Sequence, residues 1–292
     1  MNKIENPFAE LRAFTARQTP SFESALRDYL PRGPAHLEKQ FAKAAEHHLF
    51  PGGERVRPLL VLLAADLVGG KAEDVIPASV AVEYIHTAST IFEDLPFMGA
   101  TPRRRGREPL HEESGEGLAI LVGLGFLNAA YPLVFVNQSG EPKYAIEAHS
   151  EIVECVGAAG LIGGQYAAAV GGGDSNGQDA ASAGPVRNLK TSALLRLAMR
   201  TGAILSGADY IELAGISRFA EHLGDAYQLR DSLAEMAAGT VVDPEVESFD
   251  EGTGRSELLN RINSAKRILV EEFDGNEARS CLIQLADFLV GG

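Results

Sequence analysis

Apolar residues recur along this chain at helical spacing and almost nowhere in strict alternation, so the elements it predicts are helices. The pattern places them over residues 21–30, 34–48, 57–67, 77–94, 117–135, 145–170, 189–206, 216–237 and 255–273, with a last helix ending near 289. Two stretches are apolar nearly all round, Leu59-Leu60-Val61-Leu62-Leu63-Ala64-Ala65 and residues 118–127. A helix with no polar face belongs at the centre of a bundle. Residues 171–185, opening on a glycine run, and residues 238–254, acidic and holding Pro244, read as connections. Connections of that length serve as lids or stay disordered. The predicted architecture is all-α: a single helical domain over residues 1–292, with 1–20 as an N-terminal extension.

Composition narrows the function classes. The chain has 292 residues, 45% hydrophobic and 23% charged, no Trp and 7% aromatics, which suits one thick helical core. Its 40 acidic and 26 basic side chains give a net charge of −14, which argues against nucleic acid as a partner because polyanions are repelled. Cys155 and Cys281 are too few for a disulfide scaffold or a structural zinc site and suit a reducing cytoplasm. The first residues lack the apolar stretch of a signal peptide, and no run of about 18 apolar residues is read, so no membrane span is expected.

Candidate chemistry gathers in three places. In residues 85–96, His86 and Glu93 differ by about 20° around a helix axis, so a polar stripe ending in Glu93 and Asp94 runs along a mostly apolar helix that Pro96 stops. Buried carboxylates need a partner or a metal. Arg103, Arg104, Arg105 and Arg107 form the sharpest basic cluster of an acidic protein, and the guanidinium fork grips phosphate oxygens in pairs. Gln228, Asp231 and Glu235 step by three and four residues along another helix, where the two acids suit a shared cation. Taken singly, the acids also suit an exposed helix end, the arginines a solvated loop tip, and the third stripe a solvated helix face. Together with Lys190 they resemble a Mg²⁺–diphosphate clamp, since Mg²⁺ takes a few carboxylates and fills its other positions with water and phosphate.

The order of motifs resembles the all-trans polyprenyl diphosphate synthase family, the geranylgeranyl and farnesyl diphosphate synthases, over about residues 52–289. The matching segments are Gly52-Gly53-Glu54-Arg55-Val56-Arg57-Pro58, Glu83-Tyr84-Ile85-His86-Thr87-Ala88-Ser89, Glu93-Asp94-Leu95-Pro96-Phe97-Met98, Arg104-Arg105-Gly106, Gly163-Gly164-Gln165, Leu189-Lys190-Thr191 and Tyr227-Gln228-Leu229-Arg230-Asp231. The resemblance implies the isoprenoid synthase bundle, with a central cavity in which two acidic motifs face each other and hold Mg²⁺ against an allylic diphosphate. It implies a prenyltransferase of isoprenoid biosynthesis that joins isopentenyl diphosphate to an allylic diphosphate. Carried over by position, Arg57 and His86 would contact isopentenyl diphosphate, and Arg104 and Arg105 the two diphosphates. Lys190, Thr191 and Gln228 would line the allylic site, and Gln165 would also bind substrate. Glu93, Asp94, Asp231 and Glu235 would hold the metal, with Lys190, Asp94 and Asp231 the catalytic set. A homodimer, or a heterodimer with an active synthase, is also implied.

The departures from that pattern are specific. The first acidic motif reads Glu93, Asp94 and Gly99 where the family has three aspartates, and the second reads Asp231, Ser232 and Glu235. Glu54 stands where a lysine usually binds isopentenyl diphosphate, Ala168 replaces an aspartate, and residues 236–243 carry no lysine where the family has a lysine-rich lid. These changes predict weakened metal and elongation-substrate binding. They leave three readings: a divergent synthase that still works, a noncatalytic regulatory subunit of a heteromeric synthase, and a terpene-synthase-like enzyme that ionises an allylic diphosphate without elongation. Small Ala88 and Ser89 below Glu93 suggest a tail of about twenty carbons or more for the first. His47, His48 and His222 are read as ordinary histidines with no matching partner.

Overall fold

The computed structural model describes residues 7–33, 38–50, 52–98, 108–136, 141–171, 180–237 and 251–291; for 38, 167–171, 180–191, 235, 251 and 289–291 it describes the backbone alone. The elements, in order, are α1 (Ala9–Asp28), α2 (Glu38–Leu49), α3 (Val56–Leu67), α4 (Ile76–Glu93), α5 (Leu110–Ser114) and α6 (Glu116–Leu133). They continue with α7 (Pro142–Val156), α8 (Leu161–Gly171), α9 (Ala180–Leu205), α10 (Tyr210–Ala237), α11 (Glu251–Glu272) and α12 (Glu277–Gly291). Short 3₁₀ turns at Ala72–Val75 and Pro96–Met98 precede and follow α4. No strand occurs among the described residues, and the all-α class read from the pattern is what forms.

The two helices without a polar face behave differently. α3 buries the continuous run Leu60 to Ala65, and α4 buries nearly every residue from Ala78 to Ile91, with Pro77 fitting the first turn because its missing N–H has no helical partner there. α4 packs on α3, α6 and α9, with α1 and α2 also against it; α9 in turn packs on α3, α7, α8 and α10, and α10 on α11. At the α3–α9 crossing Gly202 lies against the chain of α3, where a Cβ would come within 2.1 Å of the Val61 carbonyl oxygen. α4 and α10, which carry the two acidic motifs, both lean on α9 and have no extensive packing on each other among the described residues.

Several predicted boundaries change. α1 begins at Ala9 and runs through Pro20, because Leu11, Phe14, Gln18, Phe22 and Leu26 make one buried stripe that outweighs the hydrogen bond the proline removes. The single helix expected over 145–170 is two, broken at Gly157 and Gly160; a Cβ on Gly160 would meet the Cys155 carbonyl oxygen at 2.0 Å. Residues 180–188, expected as connection and a gap before the next helix, belong to α9, and α11 starts at Glu251. The rest of the two predicted connections, 172–179 and 238–250, lies outside the described residues. The expectation that no stretch reaches membrane-spanning length and apolarity is also corrected. Ala72–Glu93 and α6 both reach it, the first as the buried central helix and the second with only 33% of its span buried.

Candidate active site

The site is built outward from α4. Arg55 enters α3 with a left-handed φ of 52° and is held from three sides: its guanidinium pairs with Glu83 of α4, donates from Nε to Glu23 Oε1 at 3.2 Å, and donates from Nη2 to the Leu49 carbonyl at 2.9 Å. Those bonds lock the loop before α3, so that Arg57, two residues further, reaches His86: Arg57 Nη1 lies 3.3 Å from His86 Nε2. A guanidinium only donates, so Nε2 accepts and the imidazole proton is assigned to Nδ1, which is shut off from solvent. The sequence-predicted pair is therefore brought together.

Two turns along α4 stand the acids. Glu93 Oε1 accepts a 2.9 Å hydrogen bond from Gln165 Nε2, tying α4 to α8. Asp94 caps α4; its backbone N–H reaches the Thr90 carbonyl at 3.1 Å, the residue is 1% exposed, and Oδ2 is sealed from water. On α10, Asp231 is half-exposed and pairs with Arg230 at 2.7 Å, while that guanidinium lies 4.3 Å from the Tyr227 ring centroid. Gln228 Oε1 is buried with no hydrogen bond among the described residues, and Ser232 is buried in the helix packing. Glu54 is exposed and lines a cleft of about 30 Å³ with Thr15, Gln18 and Thr19 of α1. Lys190 and Thr191 lie on α9 and Glu235 on α10, with side chains not described; Arg104 and Arg105 lie outside the described residues.

Among the described residues no three His, Cys, Asp or Glu side chains form a ready metal cage. Glu93, Asp94 and Asp231 are oxygen donors of the kind a hard cation takes, but Glu93 is held by Gln165 and Asp231 by Arg230, so each would have to supply its oxygen singly, the rest of the shell coming from water and phosphate. Burial pushes the thiols of Cys155 and Cys281 up to about 12, so neither offers a nucleophilic thiolate near neutral pH.

Some residues escaped the sequence reading. His47 and His48, read as ordinary, each bind another helix: His47 Nε2 lies 2.8 Å from Glu113 Oε2, and His48 Nε2 lies 3.0 Å from Thr90 Oγ1. Arg55 and Glu83 belong to two separate motifs, and nothing in either motif announces their pairing. No local signal marks such contacts, because the partners are separated by 28 to 66 residues.

A helical bundle with acids on two helices that share a third, and an Arg–His pair beside one of them, fits the arrangement that the resemblance to polyprenyl diphosphate synthases implies. The polyprenyl synthetase family profile matches residues 38–242. The chain is 33% identical over 227 residues to a farnesyl diphosphate synthase from Geobacillus stearothermophilus, spanning 76% of this chain and 74% of that one. It is 31% identical over 303 residues to a chloroplastic geranylgeranyl pyrophosphate synthase from Capsicum annuum, spanning 98% and 80%. Its fold is shared with an FPP/GFPP synthase from Zymomonas mobilis, at a TM-score of 0.86, 22% identity and 96% and 98% coverage. A geranyltransferase from Legionella pneumophila superposes at 0.85, with 23% identity and 98% coverage of each chain. The chain belongs to the polyprenyl synthetase family and is a prenyl diphosphate synthase-like protein.

Proposed function

We propose that this chain is a working, divergent all-trans prenyl diphosphate synthase that condenses isopentenyl diphosphate with an allylic diphosphate in a Mg²⁺-dependent reaction. The observation that carries the reading is the contact of Arg57 on α3 with His86 on α4, which sets a cation beside the helix that carries Glu93 and Asp94 two turns further on. In this reaction the allylic carbon–oxygen bond breaks and diphosphate departs. The double bond of isopentenyl diphosphate attacks the allylic cation, and a proton is then lost to restore an alkene. Arg57 and His86 hold the isopentenyl diphosphate, and a fixed charge there costs no reorganisation when the cation forms. By their place in the motifs, Arg104 and Arg105 would bind the two diphosphates, Lys190, Thr191 and Gln228 the allylic diphosphate, and Gln165 would bind substrate beside them. Bound Mg²⁺ would supply charge to the departing diphosphate, held by Asp94 and Asp231 with Glu93 and Glu235. Glu54, on the cleft toward α1, opposes the incoming anion, which predicts a high KM for isopentenyl diphosphate and not a lost fold.

Small Ala88 and Ser89, five and four positions before Glu93, support a product of about twenty carbons or more, since neither side chain blocks a long tail. The protein acts as a homodimer through the exposed apolar stripe of α6, and its two unbridged cysteines suit the cytoplasm. Incubation of purified protein with isopentenyl diphosphate and C5, C10 and C15 allylic diphosphates, with and without Mg²⁺, tests the reading. The expected result is a Mg²⁺-dependent product near twenty carbons. No elongated product with any primer or divalent metal overturns it.

A further inference from the structure

α2 ends in two adjacent histidines that reach different helices. His48 Nε2 lies 3.0 Å from Thr90 Oγ1 on α4. The Thr90 hydroxyl already gives its hydrogen to the Thr87 carbonyl at 2.8 Å, so Thr90 accepts and His48 Nε2–H donates. The Thr90 carbonyl in turn receives the backbone N–H of Asp94. His47 Nε2 lies 2.8 Å from Glu113 Oε2 of α5, with both side chains mostly shielded at 28% and 33% exposure. The next residue along, Leu49, gives its carbonyl to Arg55, which sets the loop leading to Arg57. The last turn of α2 thus joins three pieces: the acid-bearing end of α4, the helix α5 that follows it in the chain, and the loop that delivers Arg57.

We propose that His47 and His48 are positioning residues for diphosphate binding, holding the Asp94 turn of α4 and the loop to Arg57 in one fixed relation through α2. The inference rests on the synthase reading above, and nothing in the family profile or the relatives' names assigns these histidines. Neither touches substrate. Their effect is on how well cations and acids are preset for the diphosphate, so it falls on ground-state binding more than on the chemical step.

The test compares His48→Leu and His47→Leu with His48→Gln and His47→Gln, which keep an N–H donor near the Nε2 position. Thr90→Val and Glu113→Gln remove or weaken the partners. Binding of inorganic pyrophosphate with Mg²⁺ is measured by calorimetry, KM and kcat with an allylic diphosphate, and amide exchange across residues 90–98 and 110–116. The leucine variants are expected to raise the pyrophosphate Kd and the allylic KM about five- to tenfold with kcat within about twofold. The glutamine variants should return to within about twofold of the parent, and exchange should quicken in both peptides of the leucine variants. A leucine variant that stays folded and binds pyrophosphate like the parent overturns the inference, as does a fall in kcat at unchanged KM. Should a leucine variant fail to fold, Thr90→Val and Glu113→Gln decide it by the same criteria. If the parent itself binds no pyrophosphate, both the synthase reading and this role fall, whereas parent binding that ignores every variant removes the role alone.

Discussion

At the scale of single residues, the site was legible where a motif names its members and illegible where a bond joins distant helices. Arg57 and His86 stand 29 residues apart and were paired only by resemblance; the structure supplies the physical reason, a 3.3 Å contact enforced by the threefold hold on Arg55. Glu93 was read only as a metal acid, yet it takes the Gln165 amide, a contact its extra methylene relative to aspartate allows. If Arg57 grips the isopentenyl diphosphate, replacing it should cost what a charge-assisted hydrogen bond is worth, about 1.5–3 kcal/mol. At about 1.4 kcal/mol per factor of ten, Arg57→Met should raise the KM for isopentenyl diphosphate about ten- to hundredfold. The KM for the allylic diphosphate should stay within about threefold. Steady-state kinetics with each substrate varied in turn checks this, and equal losses for both substrates would mean that Arg57 supports the bundle and not one site.

At the scale of elements, periodicity located nearly every long helix, and its errors have local causes. Pro20 reads as a helix start, and only the stripe from Leu11 to Leu26 shows that α1 continues through it. The start of α10 at Tyr210 was missed, although Asp209 and Glu212 form a reciprocal capping box there: Asp209 N–H donates to Glu212 Oε2 at 2.8 Å and Glu212 N–H to Asp209 Oδ1 at 2.9 Å. That signal is in the sequence. The α3–α9 crossing is not, since a glycine inside a helix does not announce which backbone approaches it. Gly202→Ala gains about 1 kcal/mol of helix propensity. It also drives a methyl into the Val61 carbonyl, a backbone atom that cannot rotate away, and overpacking costs about 1–3 kcal/mol. The clash should win, lowering stability by about 1–2 kcal/mol in urea unfolding, with Gly117→Ala, which meets nothing within 4 Å, as the matched control.

At the scale of the whole molecule, the bundle leaves one helix unfinished. α6 buries Ala119, Val122, Phe126 and Ala130 against α4, while Leu121 at 58% and Leu124 at 50% exposure look outward, with Phe135 just past its end. Ile146 and Val153 of the adjacent α7 are exposed as well, and His149 of α7 stacks within 5.4 Å of Phe135, so the two helices share this outer surface. The all-apolar pattern of residues 118–127 announces burial, and in the single chain Leu121 and Leu124 within it stay exposed. Isolated proteins rarely expose so continuous a patch, and the two-fold packing of a second copy would cover it with the same residues from the other side. Each large apolar side chain fully withdrawn from water contributes about 1.5–3 kcal/mol, so a few per protomer suffice for a stable dimer. The charge of −14 on each copy works against association, and more so as salt is removed. Leu121→Glu with Leu124→Glu should therefore convert a dimer to a monomer in sedimentation equilibrium while leaving the helical circular dichroism unchanged. A doubly substituted chain that still sediments as a dimer would place the contact elsewhere.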